Sequence, residues 1–187
     1  EELALCRPSD PVADGDDGVQ PRKMATILTI TAPRIVANFL VYFVTLTVFP
    51  GLAVMADLSS GWFGVIVVFL FSAGDLAGRS VCRFQRVWSL PKRLLPYSVA
   101  RLVFIPLFIM CVKPKVVPGQ AIPYILMILT GLTNGYTTAL CMMFAPSNPL
   151  LRESERGIVG SAMSLSVLGG CSVGSFVGLG LTTLLAE

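Results

Sequence analysis

The sequence predicts an all-α, polytopic membrane helix bundle with five transmembrane helices, and three observations carry that prediction. Apolar residues fill 54% of the 187 positions and charged residues only 13%. The mean hydropathy of +0.76 lies above the range of soluble globular domains. Five apolar runs, at about 35–55, 62–81, 95–112, 121–144 and 158–185, each match the roughly 20 residues needed to cross a bilayer core.

Residues 1–23 hold six of the eleven acids (Glu1, Glu2, Asp10, Asp14, Asp16 and Asp17) and end in Arg22 and Lys23. Their apolar surface is too small to offset the entropy of ordering, so they read as a disordered cytoplasmic segment. With neither a basic start nor an apolar stretch they are not a signal peptide. The chain also lacks an initiator Met, which suggests the trailing part of a longer polypeptide. The short apolar run from Met24 to Thr31 stops at Pro33 and Arg34 and is too short to span, which predicts an interfacial lead-in. The expected division is therefore a loop and lead-in at 1–34 and a bundle at 35–187.

The first span contains Pro50, a kink that membrane bundles tolerate because the freed carbonyl finds a partner nearby. The second contains GVIVVFLF (64–71), apolar on every side where a barrel strand would alternate. The third, with LVFIPLFIM (102–110), is equally apolar and holds a second internal proline, Pro106. In the fourth, Thr133, Asn134, Tyr136, Thr137 and Thr138 crowd together, with Gly131 and Gly135 four apart. Polar groups at that depth either bond helices together or line a cavity. In the fifth, Ala162, Ser166, Gly170, Gly174 and Gly178 recur at every fourth place, a small-residue stripe that suits close packing or helices that rock past each other. That last run is long enough to tilt.

Lys and Arg set the orientation. With the leading tail, the 82–94 loop and the 145–157 loop on one side, that side collects ten basic residues and the other only Lys113 and Lys115. The tail is then cytoplasmic and Glu187 extracytoplasmic. The same scatter of basic residues between apolar runs, despite a net charge of +3, argues against nucleic acid. There is no histidine and no C-x-x-C pair, so neither a catalytic triad, a His-based proton relay nor a metal site is visible, and no cofactor motif occurs. The chain does not read as an enzyme.

Charges at bilayer depth are costly and ask for a reason. Asp75 and Arg79 lie four apart on the second helix, in the acid-before-base order that pairs best. At about 1.5 Å per residue, Asp75 lies roughly 20 Å in from Trp62. The pair is either an ion pair that locks packing, with Arg79 snorkelling, or the lining of a water-filled cavity, where a carboxylate accepts from a polar solute and a guanidinium donates to it. Arg101, on the third helix, either snorkels, makes a fixed interhelical bond or touches solute.

FVTLTVFPG (43–51), GDLAGR (74–79), ARLVFIPLF (100–108), GLTNGYTTALCMMFAP (131–146) and ESERGIVGSAMSLSVLGGCSVGSFVG (153–178) resemble, in order and spacing, successive signatures of the equilibrative nucleoside transporters. NGYTTALCMM is similar to the protozoan members. The resemblance implies an eleven-helix protein related to the major-facilitator architecture, of which this chain supplies helices seven to eleven and lacks the amino-terminal six. It implies that Asp75 and Arg79 are the charged pair of helix eight that contacts the sugar of the solute. Phe49 and Pro50 match the Phe-Pro of helix seven, near the solute and the kink. Asn134, Gly135 and Tyr136 match the helix-ten motif. Ser72 sits where many members have asparagine, which bears on selectivity.

The expected function is alternating-access transport of nucleosides or nucleobases in a multi-pass protein of the plasma membrane. Asp75 and Arg79 would hold the polar edge of the solute and Phe49 would pack on the base. Asp75 is also the candidate in this half for proton coupling. The alternative is a truncated, non-transporting membrane remnant or interaction partner, since one bundle cannot close a cavity formed between two.

Overall fold

The computed structural model describes residues 22–56, 61–84, 94–113 and 121–186. The leading tail, expected to be disordered, lies outside the described residues except for Arg22 and Lys23. Five helices are long and apolar enough to cross a membrane: Met24–Met55, Phe63–Arg83, Leu94–Val112, Ala121–Phe144 and Glu153–Ala186. They are called the first to fifth helices below. Among the described residues every regular element is helical.

The first helix starts earlier than the sequence suggests. It runs from Met24 to Thr47 straight through Pro33, so the stretch read as a lead-in is continuous with the first helix. The physical reason is tertiary. Ile27 is 2% exposed, in an apolar cluster with Leu140, Cys141, Val159 and Met163, and Thr31 is fully buried. That burial offsets the one backbone bond Pro33 cannot make.

Pro50 and Pro106 each leave a local mark. Val48–Leu52 forms a widened helical turn in which Phe49, at φ −111° and ψ 137°, leaves the helical region, and the Phe49–Pro50 bond is cis. Helix resumes over Ala53–Met55. The third helix tightens to a 3₁₀ turn at Arg101–Val103 between Leu94–Ala100 and Phe104–Val112. Pro106 lacks the N–H that would have bonded the Leu102 carbonyl, and that carbonyl lies in the tightened turn.

Two glycine-lined crossings hold the helices together. Between the second and fourth helices, Gly74 and Gly78 face Gly131 and Gly135. A Cβ at Gly74 would stand 2.7 Å from the Ile128 carbonyl oxygen, and one at Gly78, Gly131 or Gly135 would overlap the carbonyls of Leu132, Phe71 and Asp75 respectively. Only hydrogen atoms fit there, so the two backbones meet directly, the arrangement by which membrane helices gain dispersion energy without a hydrophobic drive. Between the first and fifth helices, a Cβ at Gly170, Gly174 or Gly178 would meet the carbonyl oxygens of Phe39 at 2.6 Å, Phe43 at 2.5 Å and Leu46 at 2.9 Å. Asn38 Nδ2 adds a bond to Ser166 Oγ of 2.8 Å.

The first and fourth helices are the most buried, and the second, third and fifth pack around them. Two apolar clusters form. One centres on Ile27, Leu94, Leu140 and Met163, the other on Val48, Phe63, Phe108 and Met127. The leading segment meets the entry to the fifth helix at one end of the bundle, where Arg22 Nη1 donates to the Leu150 carbonyl at 3.0 Å and lies 4.0 Å from Glu155.

Candidate functional site

Between the two apolar clusters, four helices contribute to one hydrogen-bonded chain. On the second helix, Arg79 Nε donates to Asp75 Oδ2 at 2.8 Å. The other carboxylate oxygen, Oδ1, accepts from Asn134 Nδ2 of the fourth helix at 2.7 Å. The Asn134 amide oxygen lies 2.8 Å from Thr45 Oγ1 of the first helix, and Thr45 Oγ1 accepts from Arg101 Nη2 of the third at 2.9 Å. Thr45 also lies 2.8 Å from the Val41 carbonyl, and its single hydroxyl proton serves one of the two acceptors at a time. Arg101 Nη2 makes a longer contact, 3.4 Å, to the Thr130 carbonyl.

The glycine crossing is what makes this chain possible. Because Gly135 lets the fourth helix touch the backbone at Asp75, the neighbouring Asn134 reaches the carboxylate with a short, two-carbon side chain. Asn134 is 3% exposed, so its amide belongs to the bundle and not to a surface. The Asp75 side chain is 19% exposed and that of Arg79 49%, so the chain runs from a buried core to an accessible guanidinium. Tyr42, on the first helix, stands near Arg79.

The structure therefore brings Asp75, Arg79, Asn134 and Arg101 together, and Gly135 with them as the spacer. Arg101 does not snorkel. The residue is 3% exposed and its guanidinium turns to Thr45 and Thr130, so of the readings open in the sequence the interhelical bond is realised. Phe49 stands at the kink, stacked on Phe71 with ring centroids 4.7 Å apart and planes 14° from parallel. Phe71 lies four residues before Asp75 and shares its face.

Other expected site residues stand apart from the chain. Ser72 is exposed and its hydroxyl is bonded to the Val68 carbonyl at 2.9 Å. It shares the exposed stripe of the second helix with Arg79, seven residues on. Pro50 is exposed at the kink. Gly170, Gly174 and Gly178 face the first helix at the other crossing. Tyr136 lines a cavity of about 500 Å³ between the second, third and fourth helices, together with Gly78, Tyr97, Arg101, Phe104 and Thr133.

Thr45, Thr130, Tyr42 and Phe71 were not legible as site residues from sequence. Thr45 had a signal of sorts, a hydroxyl inside the FVTLTVFPG run, but a lone threonine in an apolar helix usually bonds its own backbone. Among the described residues no group of His, Cys, Asp or Glu could hold a metal ion.

Known proteins supply the context for this geometry. The family model described as "Nucleoside transporter" matches residues 13–181. Nucleoside transporter 2 of Crithidia fasciculata is 34% identical over 159 residues, covering 84% of this chain and 32% of that protein. Nucleoside transporter 2 of Leishmania donovani is 35% identical over 151 residues, 80% of this chain and 30% of the relative. Equilibrative nucleoside transporter 4 of Danio rerio is 35% identical over 141 residues, 73% and 27%. The chain spans about a third of the length of the curated relatives it matches. A family match over most of the chain, on five apolar helices joined by buried polar groups, leads to one conclusion: this integral membrane protein belongs to the nucleoside transporter family.

Proposed function

We propose that this chain is the carboxyl-terminal part of a transporter that moves nucleosides or nucleobases by alternating access, one bundle rocking against the other around a site near the midplane. The observation that carries the reading is the chain from half-exposed Arg79 through Asp75 and Asn134 to Thr45 and Arg101. Asp75 accepts one bond on each oxygen, yet a carboxylate offers about four lone-pair sites, so it can take the hydroxyl protons of a sugar without releasing Arg79 or Asn134. Arg79 spends Nε on Asp75 and presents its outer nitrogens to acceptors on the solute. Ser72, on the same exposed stripe, reaches the solute from one side, and the Phe49–Phe71 stack offers an aromatic face to the base.

In this reading Pro50 and the widened turn at Val48–Leu52 let the end of the first helix move, Gly135 and Tyr136 keep the fourth helix against the second, and Gly170, Gly174 and Gly178 let the fifth helix slide on the first. Any proton coupling runs through Asp75. The protein sits in the plasma membrane with its leading tail inside and its carboxyl end outside, and the amino-terminal helices form the opposite wall.

The test is uptake of uridine, adenosine and hypoxanthine by full-length protein carrying Asp75→Asn or Arg79→Ala, with surface expression measured in parallel. Both variants are expected at the cell surface with uptake reduced at least tenfold, or about 1.4 kcal/mol. Native uptake by both would refute the assignment.

A further inference from the structure

Arg101 carries an unfinished hydrogen-bond set. Its Nη2 is taken by Thr45 and Thr130, but Nε and Nη1 are buried with no acceptor among the described residues. The neighbouring Asp75 carboxylate makes its bonds to Arg79 and Asn134 and none to Arg101. In this polar layer one carboxylate thus stands against two guanidiniums, Arg79 and Arg101, leaving one positive charge unmatched. A buried cation without a partner is costly, and its unmade bonds add to that cost.

Arg101 also lines the cavity of about 500 Å³ between the second, third and fourth helices. The other walls suit an anion with an apolar attachment: hydroxyls of Tyr97, Thr133 and Tyr136 stand among Phe104, Val81 and Leu132. Tyr97, 50% exposed, lies one turn from Arg101 toward the start of the third helix and marks the mouth.

We infer that the cavity between the second, third and fourth helices is a binding site for an oxyanion, with Arg101 as its fixed charge and the Tyr97 hydroxyl as a further donor. The site lies away from the exposed Ser72–Arg79 stripe and does not depend on which solute is transported. Phosphate chemistry fits it, from a phospholipid head group or from a free oxyanion.

The test uses purified full-length protein in zwitterionic phosphatidylcholine nanodiscs. Thermal unfolding is followed with added inorganic phosphate, and separately with phosphatidic acid incorporated in place of part of the phosphatidylcholine. A ligand that binds only the folded state raises the unfolding temperature, here by about 3 °C or more at saturation. Arg101→Met, which keeps volume and removes the charge, is expected to abolish the rise. Tyr97→Phe, at the exposed mouth and safe for folding, is expected to need at least threefold more ligand for the same rise, and it decides the matter should Arg101→Met not fold. A rise with phosphate assigns a soluble oxyanion, and a rise with phosphatidic acid alone assigns the lipid. No rise beyond the phosphatidylcholine control, as would follow if Arg101 turned to Asp75 or to another part of the protein, overturns the inference. So does a rise that persists unchanged in the folded variants.

Discussion

Replacing Gly135 by alanine adds one methyl group at the crossing that assembles the polar chain. That methyl would overlap the Asp75 carbonyl oxygen and stand 2.8 Å from its carbonyl carbon and 3.1 Å from the Arg79 amide nitrogen. Carbon atoms rest about 3.5–4.0 Å apart, so the second and fourth helices must part by about 1 Å. The Asn134–Asp75 bond is 2.7 Å long. The same displacement stretches it by about 1 Å, past the range in which N–H···O bonds hold. Overpacking costs about 1–3 kcal/mol and a polar bond between membrane helices averages about 0.6, a total of about 2–4 kcal/mol. In full-length protein, Gly135→Ala is expected to lower the unfolding temperature by several degrees and uptake by at least tenfold. Gly160→Ala is the matched control, because nothing lies within 4 Å of its Cβ position, and it should behave as native. If Gly135→Ala unfolds and transports like Gly160→Ala, the direct backbone crossing is wrong.

The other expectations follow from the same contacts. Thr45→Val keeps the shape of the side chain but cuts Asn134 from Arg101, leaving Arg101 Nη2 only the 3.4 Å contact to Thr130, and should destabilise by about 1–3 kcal/mol in thermal unfolding. Gly174→Leu should separate the first and fifth helices, seen as loss of a disulfide engineered across that crossing, whereas Gly180→Ala, with open space around it, should leave cross-linking intact. Glu153→Gln breaks a 3.6 Å pair with Arg156 whose members are 92% and 50% exposed, so unfolding temperature and uptake should not change.

Most of the architecture was legible because a bilayer imposes its demands residue by residue. Every spanning backbone must bond internally, so length and apolarity predict five spanning helices, and the structure has five of that length and apolarity. The kink at Pro50 was legible for the same local reason. The start of the first helix was not, because Pro33 argues locally for a stop while the burial of Ile27 and Thr31 against other helices argues for continuation. The site divided along the same line. Asp75 and Arg79 could be paired from their spacing on one helix. That Asp75 would also bond Asn134, and that Thr45 would join Asn134 to Arg101, depends on which helix faces come together, and periodicity gives a face without its partner. Gly131 and Gly135 suggested a close approach, but only the fold matches them to Gly74 and Gly78. Arg101 is the clearest case: an arginine near a helix start has an easy route to water, and interhelical bonding turned it inward instead.

The central claim is that the half-exposed Asp75–Arg79 pair touches the transported solute as well as holding the bundle. Equilibrium binding of radiolabelled uridine and adenosine to purified full-length protein tests this most directly, since it separates solute contact from transport and folding. Variants are compared only where they unfold at the native temperature. Arg79→Ala is expected to weaken the Kd for the bound solute at least tenfold, while Gly160→Ala binds as native. A native Kd in well-folded Arg79→Ala and Asp75→Asn proteins would contradict the account and leave the pair a packing device.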